Sequence, residues 1–257
     1  MKKWIILLAL VFSCQLVFAG VDFDTTAIFA DGDNIDFGDQ ADFDIVNADW
    51  SLSCWLNTTT IGRRCALGKS AEGGLVDWWV LTIDVDATSK LKFEADDGAV
   101  KKTLDGDNAF NDGEWHNVVV VHTEGTGYVL YVDTTQEDTD TDNGDCSSSH
   151  AFTIGKNIRT NSNDQPWFGQ VNEVAIWQGY ALTAQDRQNL YNSKVKRMPL
   201  QIGAQYLVGY WPLDDLAEGI SINGKTFKDL SEKGYNGTGT DTDGDSLSVA
   251  ETVLSYP

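Results

Sequence analysis

Residues 166–192 read PWFGQVNEVAIWQGYALTAQDRQNLYN, and this stretch decides the fold. Its segment 171–177 is short, apolar at all but two positions and rich in β-forming residues, which predicts a buried strand. After a break at Gly179, Thr183 and Asp186 have the spacing of a capping box, in which the hydroxyl accepts from a backbone N–H at the positive end of a helix. The stretch therefore predicts a buried strand, a turn and one short helix.

The chain before this stretch consists of short strand-like segments separated by turns. Residues 90–95 are one such segment, and the turn 96–98 follows it. Residues 118–121 are four valines, apolar on both faces of a strand, which predicts a central strand that is covered on both sides. Because no helical segments alternate with the strands, the pattern favours an antiparallel all-β sandwich over a parallel sheet.

Several motifs occur in a fixed order over residues 23–192. They are 30–32 (ADG), 50–55 (WSLSCW), 113–119 (GEWHNVV), 130–133 (LYVD), 152–155 (FTIG) and the closing motif 168–177 (FGQVNEVAIW). The set resembles the laminin-G-like, concanavalin A-like jelly-roll family, although Asn172 stands where that family has Asp. The resemblance implies an all-β fold, a two-sheet antiparallel jelly-roll sandwich with one short helix. It says little about function, because jelly rolls host many activities.

The first 19 residues have the layout of a secretory signal peptide. Two lysines precede an apolar run at residues 4–12, and Ala19 ends a small-residue cleavage site. The run is shorter than the roughly 20 apolar residues that span a bilayer, and no other segment predicts membrane insertion. We therefore expect a secreted, extracellular or cell-surface protein. The alternative for this segment is a lipid-attachment box that ends at Cys14.

Residues 20–257 are predicted to form a single laminin-G-like jelly-roll domain with its core at residues 23–192. The extension 193–257 contains a strand-like segment, and its part 208–214 resembles the family's opening strand displaced to the end of the chain. We expect this extension to add one strand to the first sheet and to end in a loose tail, because it is too short for a second sandwich of roughly 100 residues. A truncated second module is the alternative.

The formal net charge of −21 argues against two classes of partner. A chain this acidic repels the phosphates of nucleic acid and the headgroups of anionic lipids. The same charge suits a cation-rich exterior, where salt screens the self-repulsion of the chain. We expect neither nucleic-acid binding nor membrane insertion.

The resemblance also indicates which sequence motif a catalytic member of the family would carry. Related jelly-roll glucanases carry Glu-x-Asp-x-Glu on one strand, so that two carboxylates point into the cleft together, and no such triplet occurs in this chain. Asp84 and Asp86 have the spacing of two residues that would place both carboxylates on one face of a strand, but the glutamates of the triplet are absent beside them. His116 occupies the family's Trp-His position, where we expect a structural role. The sequence therefore predicts a binding module, with a glycoside hydrolase as the less favoured alternative.

Calcium is the cofactor that the resemblance implies, since jelly rolls of this family often join their first and last strands through a structural Ca²⁺. The opening turn supplies Asp31 and Asp33, and we expect Glu173 of the closing motif to lie near them. Carboxylate oxygens are the ligands that Ca²⁺ takes. We predict these three residues as metal ligands, and a solvated turn is the alternative. The acidic run 138–145 is interpreted as a solvated loop.

Aromatic and amide side chains are the candidate ligand-binding residues. Trp78 and Trp79 are adjacent on a strand, so their side chains point to opposite faces and one of them leaves the core. We assign that role to Trp79, on a face where a sugar ring could stack, and we expect Trp167 to be exposed at the rim. The loop before Trp167 adds groups that can hydrogen-bond hydroxyls: Asn161, Asn163 and Asp164. A packed lid at this rim is the alternative.

Removal of the signal peptide leaves three cysteines, Cys54, Cys65 and Cys146. The first two lie on successive predicted strands. A hairpin between those strands would place Cys54 opposite Cys65, so a disulfide between them is geometrically possible. Two buried thiols are the equally open alternative. The odd count leaves at least one cysteine without an intramolecular partner.

These observations favour a secreted, non-catalytic module that recognises a glycan or a cell-surface ligand and is supported by calcium. The alternative is a structural subunit of an extracellular or virion-associated array. Such a subunit would assemble by self-association, through the sheet faces and the strand-like extension.

Overall fold

The computed structural model describes residues 21–23, 26–30, 32–70, 77–83, 88–156, 165–193, 197–216, 220–241 and 252–254, with side chains for all of these except 21–23 and 252–254. The predicted signal peptide, residues 1–19, lies outside the described residues.

Most of the regular structure in the described residues is β-strand. In chain order the strands are β1 (Val21–Phe23), β2 (Ala27–Phe29), β3 (Asn34–Asp36), β4 (Trp50–Asn57), β5 (Arg64–Lys69), β6 (Trp78–Ile83), β7 (Lys90–Asp96), β8 (Lys101–Ala109), β9 (His116–Thr123), β10 (Gly127–Val132), β11 (Thr135–Asp140), β12 (Phe152–Ile154), β13 (Gly169–Gln178), β14 (Leu207–Trp211), β15 (Thr226–Phe227), β16 (Gly237–Thr240) and β17 (Thr252–Leu254). One α-helix, α1 (Ala184–Asn192), and the 3₁₀ turns Ala41–Phe43, Met198–Gln201 and Ala204–Tyr206 accompany these strands in the described part of the chain.

The strands form two large antiparallel sheets. The seven-stranded sheet has the order β11-β10-β9-β4-β13-β14, and β2 pairs with the first residues of β13. The eight-stranded sheet has the order β15-β16-β3-β12-β5-β6-β7-β8. Strands β1 and β17 pair with each other.

Aromatic side chains from the two sheets meet in one core. Trp50 of β4 and Trp79 of β6 are in edge contact at 5.3 Å between ring centroids, and Phe93 of β7 lies 6.0 Å from Tyr128 of β10. Because one member of each pair comes from each sheet, these contacts hold the sheets face to face, and the predicted all-β jelly-roll sandwich is confirmed.

Strand β9 lies inside the seven-stranded sheet, between β10 and β4. Val118 and Val120 belong to the core between the sheets. Val119 and Val121 belong to a second apolar cluster on the outer face of the same sheet. The prediction of a central strand covered on both sides is therefore confirmed.

Helix α1 covers that outer face. The capping box is present: the Thr183 hydroxyl accepts from the Asp186 N–H at 3.2 Å, and the Asp186 carboxylate accepts from the Thr183 N–H at 3.0 Å. Two side chains of the helix contact the sheet, since the Arg187 guanidinium lies 3.8 Å from the centre of the Tyr131 ring and Tyr191 stacks on a tryptophan of β4. Capping fixes where the helix starts, and these contacts fix where it packs.

The extension 193–257 contributes to both sheets. It supplies β14 beside β13 in the seven-stranded sheet, and it supplies β15 and β16 beside β3 in the eight-stranded sheet. The prediction gave it one strand in the first sheet, so its structural share was underestimated. The reason is that β16 is a short run of glycine and threonine (GTGT), which carries no hydrophobic strand signal.

Strands β4 and β5 do not form a hairpin, so of the two open alternatives for Cys54 and Cys65 the buried thiols hold and the disulfide does not. Strand β4 lies in the seven-stranded sheet and β5 in the eight-stranded sheet, because the chain crosses between the sheets after Asn57. Cys54 points into the core, whereas Cys65 packs with Trp78 on the outer face of its own sheet. Both are free, buried thiols, and Cys146 is as well.

Among the described residues, no helix combines the length and the apolar character needed to cross a membrane.

Candidate functional site

A cleft of about 250 Å³ opens along one long edge of the sandwich. Strands β7 and β8 of the eight-stranded sheet form one wall, and β10, β11 and the start of β9 form the other. The buried side chains Leu91 and Phe110, with the partly buried Val132, make an apolar floor. Polar side chains surround this floor.

The cleft exists because two facing strands lose register at the same place. From Asp105 to Ala109, β8 advances four residues while β7 advances only from Lys92 to Lys90. Residues 106–108 of β8 therefore stand opposite the single residue Leu91, which is two residues more than regular pairing allows, and they bend β8 away from its partner. Gly106 suits this bend, because a Cβ there would come within 3.2 Å of the carbonyl oxygen of Leu91.

The second irregularity is in β11, on the opposite wall. Leu130 pairs with Asp138 and Tyr131 with Gln136, so Glu137 is an extra residue without a partner in the ladder. Bulges re-aim side chains and are frequent beside binding and active sites. The Glu137 carboxylate crosses the cleft and accepts from the backbone N–H of Asp107 at 2.6 Å.

A tight turn closes the end of the cleft. Asp133 and Thr134 join β10 to β11 with φ values of 48° and 70°, the left-handed values of a two-residue type I′ turn. A β-branched residue such as Thr134 is strained at positive φ, and strain of this kind clusters at functional sites. The turn is held by Asn117, whose N–H donates to Asp133 Oδ1 at 2.8 Å and whose carbonyl accepts from the Asp133 N–H at 2.9 Å.

His116 forms the side of the cleft next to this turn. Its Nδ1 lies 2.6 Å from Asp133 Oδ2, its Nε2 lies 3.2 Å from Asp112 Oδ1, and its ring lies 5.0 Å from that of Phe110. Burial alone would lower the pKa of His116, but the hydrogen bonds and charges of Asp133 and Asp112 more than offset that effect, and the pKa is raised. The two carboxylates thus favour the protonated form of His116.

This arrangement suits a small, polar molecule with an apolar side. Carboxylate oxygens of Glu137 and Asp133 accept hydrogen bonds, the exposed Asn108 and Thr135 stand at the mouth on opposite walls, and the floor contacts carbon atoms. An apolar surface with a few placed polar groups is the usual make-up of a ligand site.

The structure does not support the two tryptophans predicted to contact a ligand. Trp79 is fully buried between the sheets, with its Nε1–H donating to the Phe43 carbonyl at 3.0 Å. The member of the pair that leaves the core is Trp78, which packs on the outer face with Val80 and lies under the Lys101 amine at 5.7 Å. Alternation predicted that the two rings would diverge, but it could not say which one faces inward.

The prediction that Trp167 is exposed is also wrong, since its side chain is fully buried in the core. Its backbone N–H donates to the Gly155 carbonyl at 2.7 Å, which draws the segment after residue 164 against the sandwich. The other predicted ligand-binding residues, Asn161, Asn163 and Asp164, lie outside the described residues.

The predicted metal ligands also occupy defined positions. Asp31 lies outside the described residues, and Asp33 is buried with its Oδ2 accepting from the Ala30 N–H at 2.9 Å. The Glu173 carboxylate accepts from the Tyr210 hydroxyl at 2.6 Å. No group of three or more His, Cys, Asp or Glu side chains in the described part of the chain is arranged to hold a metal ion. Calcium binding at this turn stays a prediction.

Sequence reasoning missed the cleft, although it had noted some of its residues. His116 and Asp133 belong to the motifs 113–119 and 130–133, and a structural role was expected for His116. Glu137 directly precedes the acidic run that was interpreted as a solvated loop. The missing signal was the loss of register in two strands, which no local pattern of residues reveals.

Comparison with known proteins adds a family and a fold. The family model described as the concanavalin A-like lectin/glucanases superfamily matches residues 29–186. A protein from Bacteroides ovatus ATCC 8483, described as a candidate carbohydrate-binding protein, is similar with a TM-score of 0.61 and 16% identity, covering 93% of this chain and 61% of that one. The native heptameric SAP-like pentraxin from Limulus polyphemus is similar with a TM-score of 0.50 and 11% identity, covering 67% of this chain and 84% of that one.

The present chain thus spans 61% of the length of the Bacteroides ovatus protein. A search of curated proteins found no match.

Proposed function

The chain belongs to the concanavalin A-like lectin and glucanase superfamily, and from that premise we propose that it is a secreted, non-catalytic module that binds a glycan or another cell-surface ligand. We place its binding site in the cleft between β8 and β11. The solved structure that is similar over 93% of this chain is described as a candidate carbohydrate-binding protein, which supports the class of ligand.

The observation that carries the proposal is the pair of bulges. A sandwich that served only as a scaffold would gain from regular pairing at its edges, because each extra residue leaves a gap in the ladder. Here residues 106–108 and Glu137 interrupt both walls at the same level, and the gap between them is lined by an apolar floor and by hydrogen-bond acceptors. A sugar unit offers hydroxyl donors and an apolar C–H face to such a surface.

The non-catalytic part of the proposal rests on the carboxylates. The Glu-x-Asp-x-Glu triplet of related glucanases is not in the sequence. In the cleft, both oxygens of Asp133 are already occupied, by the Asn117 N–H and by His116. The Glu137 Oε2 is occupied by the Asp107 N–H. These carboxylates are positioned as fixed acceptors.

Calcium is proposed as a structural support at the opening turn around Asp31 and Asp33, separate from the cleft. Export follows from the signal-peptide pattern of residues 1–19, and the acidic charge of the chain suits an extracellular setting.

The test is a glycan array probed with the chain that starts at residue 20, with and without EDTA. We expect binding to a limited set of glycans and its loss in Thr135→Trp, which fills the mouth of the cleft from an exposed position. The matched control is Thr238→Trp, an equally bulky change at an exposed strand position on the other long edge, which retains binding. Weaker binding in EDTA would support the calcium site.

Three results would contradict the proposal. No binding, together with concentration-dependent assembly in light scattering, would favour a structural subunit. Cleavage of the bound polysaccharide would favour a glycosidase. Equal binding by both tryptophan variants and the unaltered chain would place the glycan site outside the cleft.

A further inference from the structure

Glu137 presents a fixed negative charge inside the cleft. As the extra residue of β11, it is free of the ladder, and its Oε2 is held by the Asp107 N–H on the opposite wall at 2.6 Å. That bond keeps the carboxylate from swinging out to solvent. Its second oxygen, Oε1, makes no hydrogen bond with the described residues and can accept one from a ligand.

His116, the basic side chain in the cleft lining, cannot balance this charge. His116 already faces two carboxylates, Asp133 at 2.6 Å and Asp112 at 3.2 Å, so both of its ring nitrogens are engaged. Glu137 adds a third carboxylate against this one histidine. The lining of the cleft is therefore negative in excess, in a chain whose formal net charge is −21.

The nearby lysines do not correct the balance either. Lys92 follows Leu91 on β7, so its side chain points to the opposite face of the sheet, where it pairs with Asp105 at 2.9 Å. Lys90 lies two residues before Lys92 on the same strand, so its side chain points to the same face of the sheet as that of Lys92. On the other wall, Asp138 lies beside Glu137 but outside the cleft lining, and its carboxylate accepts from the Asp105 N–H at 2.9 Å.

From this geometry we infer that the cleft selects sugar units that are neutral or carry an amino group, that it excludes units that carry a carboxylate or a sulfate, and that Glu137 is the residue that determines this specificity. The inference rests on the proposed function. An ammonium or hydroxyl group can donate to Oε1 of Glu137, while an anionic group meets like charge at short range in a partly desolvated site. The C–H face of the sugar would rest on Phe110 and Leu91.

The test uses three methyl glycosides: that of glucose, that of glucosamine, in which an amino group replaces the C2 hydroxyl, and that of glucuronic acid, in which a carboxylate replaces the C6 hydroxymethyl group. The matching galactose series is measured beside them. Binding is measured by NMR titration of the chain that starts at residue 20, at low and at high salt. We expect glucosamine to bind at least about tenfold more tightly than glucuronic acid, with the neutral sugar between them. In about 1 M salt the ratio should shrink, because screening weakens the repulsion.

The decisive variant is Glu137→Gln. Its amide oxygen can still accept from the Asp107 N–H, so the wall is kept while the charge is removed. We expect the preference for glucosamine over glucuronic acid to fall at least about threefold. The matched control is Asp138→Asn, which removes one charge from the neighbouring residue outside the cleft lining and leaves the preference close to that of the unaltered chain.

The outcomes separate this inference from the proposed function. Equal or tighter binding of glucuronic acid overturns the inference while glycan binding stands. So does a preference that changes as much in Asp138→Asn as in Glu137→Gln, since a diffuse field would then set it. If no glycan on the array and none of these sugars binds, the proposed function itself fails, and the inference fails with it.

Discussion

The two long edges of this sandwich are closed in different ways. At one edge, which we call the closed edge, Trp211 of β14 packs against Phe37 and Phe43, with 4.4 Å and 5.4 Å between ring centroids. The Nε1–H of Trp211 also donates to the Tyr235 carbonyl at 2.9 Å. At the other, the open edge, the backbone N–H groups of β8 donate to the side-chain carboxylates of β11 at 2.9 and 2.6 Å. Aromatic packing joins the sheets at the first edge, and single polar bonds join them at the second.

The difference shows how stability and binding are divided. Burial of large rings stabilises the sandwich without regard to charge, and it leaves no room for a ligand. Hydrogen bonds from exposed strand edges to carboxylates each contribute little, but they tolerate two bulges and the space between them. The closed edge therefore maintains the fold, and the open edge provides the cleft.

The largest expected effect is that of Trp211→Ala at the closed edge. Trp211 is fully buried, and truncation of a buried tryptophan costs about 3–5 kcal/mol through lost burial and the cavity left behind. The free energy of unfolding from urea denaturation measures this loss. A change below about 1 kcal/mol would mean that the extension does not close the core.

The matched change at the open edge is Phe110→Ala. This ring is also buried, but it borders the cleft, so water can enter the space that it leaves. We expect a loss of about 2 kcal/mol, close to the transfer term alone. Equal losses in the two variants, measured in the same urea titration, would remove the energetic contrast between the edges.

A smaller and local effect is expected for Asp138→Ala. The variant frees the Asp105 N–H on the exposed edge of β8, at a cost of about 1 kcal/mol. Hydrogen exchange at Asp105 should become faster while exchange at the buried Val120 of β9 stays the same. Asp138→Asn, which keeps an acceptor oxygen, is the control and should retain most of the protection. Faster exchange in both strands would indicate that the edge is part of the cooperative core.

The smallest effect is a dependence on pH through His116. Its pKa is raised in the folded protein, so the folded state binds this proton more tightly than the unfolded state. The stabilisation from this proton is complete when the pH is below the pKa of histidine in the unfolded state, about 6.5, and it is lost as the pH rises through the pKa of the folded state. The stability difference between the unaltered chain and His116→Gln should therefore shrink as the pH is raised above neutrality. A difference that grows with pH would show that the His116 pKa is shifted in the other direction.

Several parts of the structure follow from local sequence alone. The valine run of β9 is apolar at consecutive positions, and consecutive apolar positions require cover on both faces, as found. Thr183 and Asp186 place the start of α1, because the capping box is made of neighbouring residues. The closing motif becomes the strand β13, as its composition predicts.

Other features were out of reach of any local pattern. The alternation of side chains along a strand predicts that Trp78 and Trp79 point to opposite faces of the sheet. Which of the two faces the core is set by the strands that pair with β6. Cys54 and Cys65 lie on successive strands, β4 and β5. The sheet that each of these strands joins nevertheless depends on partners far away in the sequence.

The amino-acid sequence by itself determined that this protein is a β-sandwich with one capped helix, because strand periodicity and capping are properties of adjacent residues. The tertiary structure decided which side chains face the core, which sheet each strand joins, and where the register of β8 and β11 slips. Glu137 lines a cleft because the partners of β11 fix that slip. Register is a relation between distant segments, and it is resolved only when the segments pack.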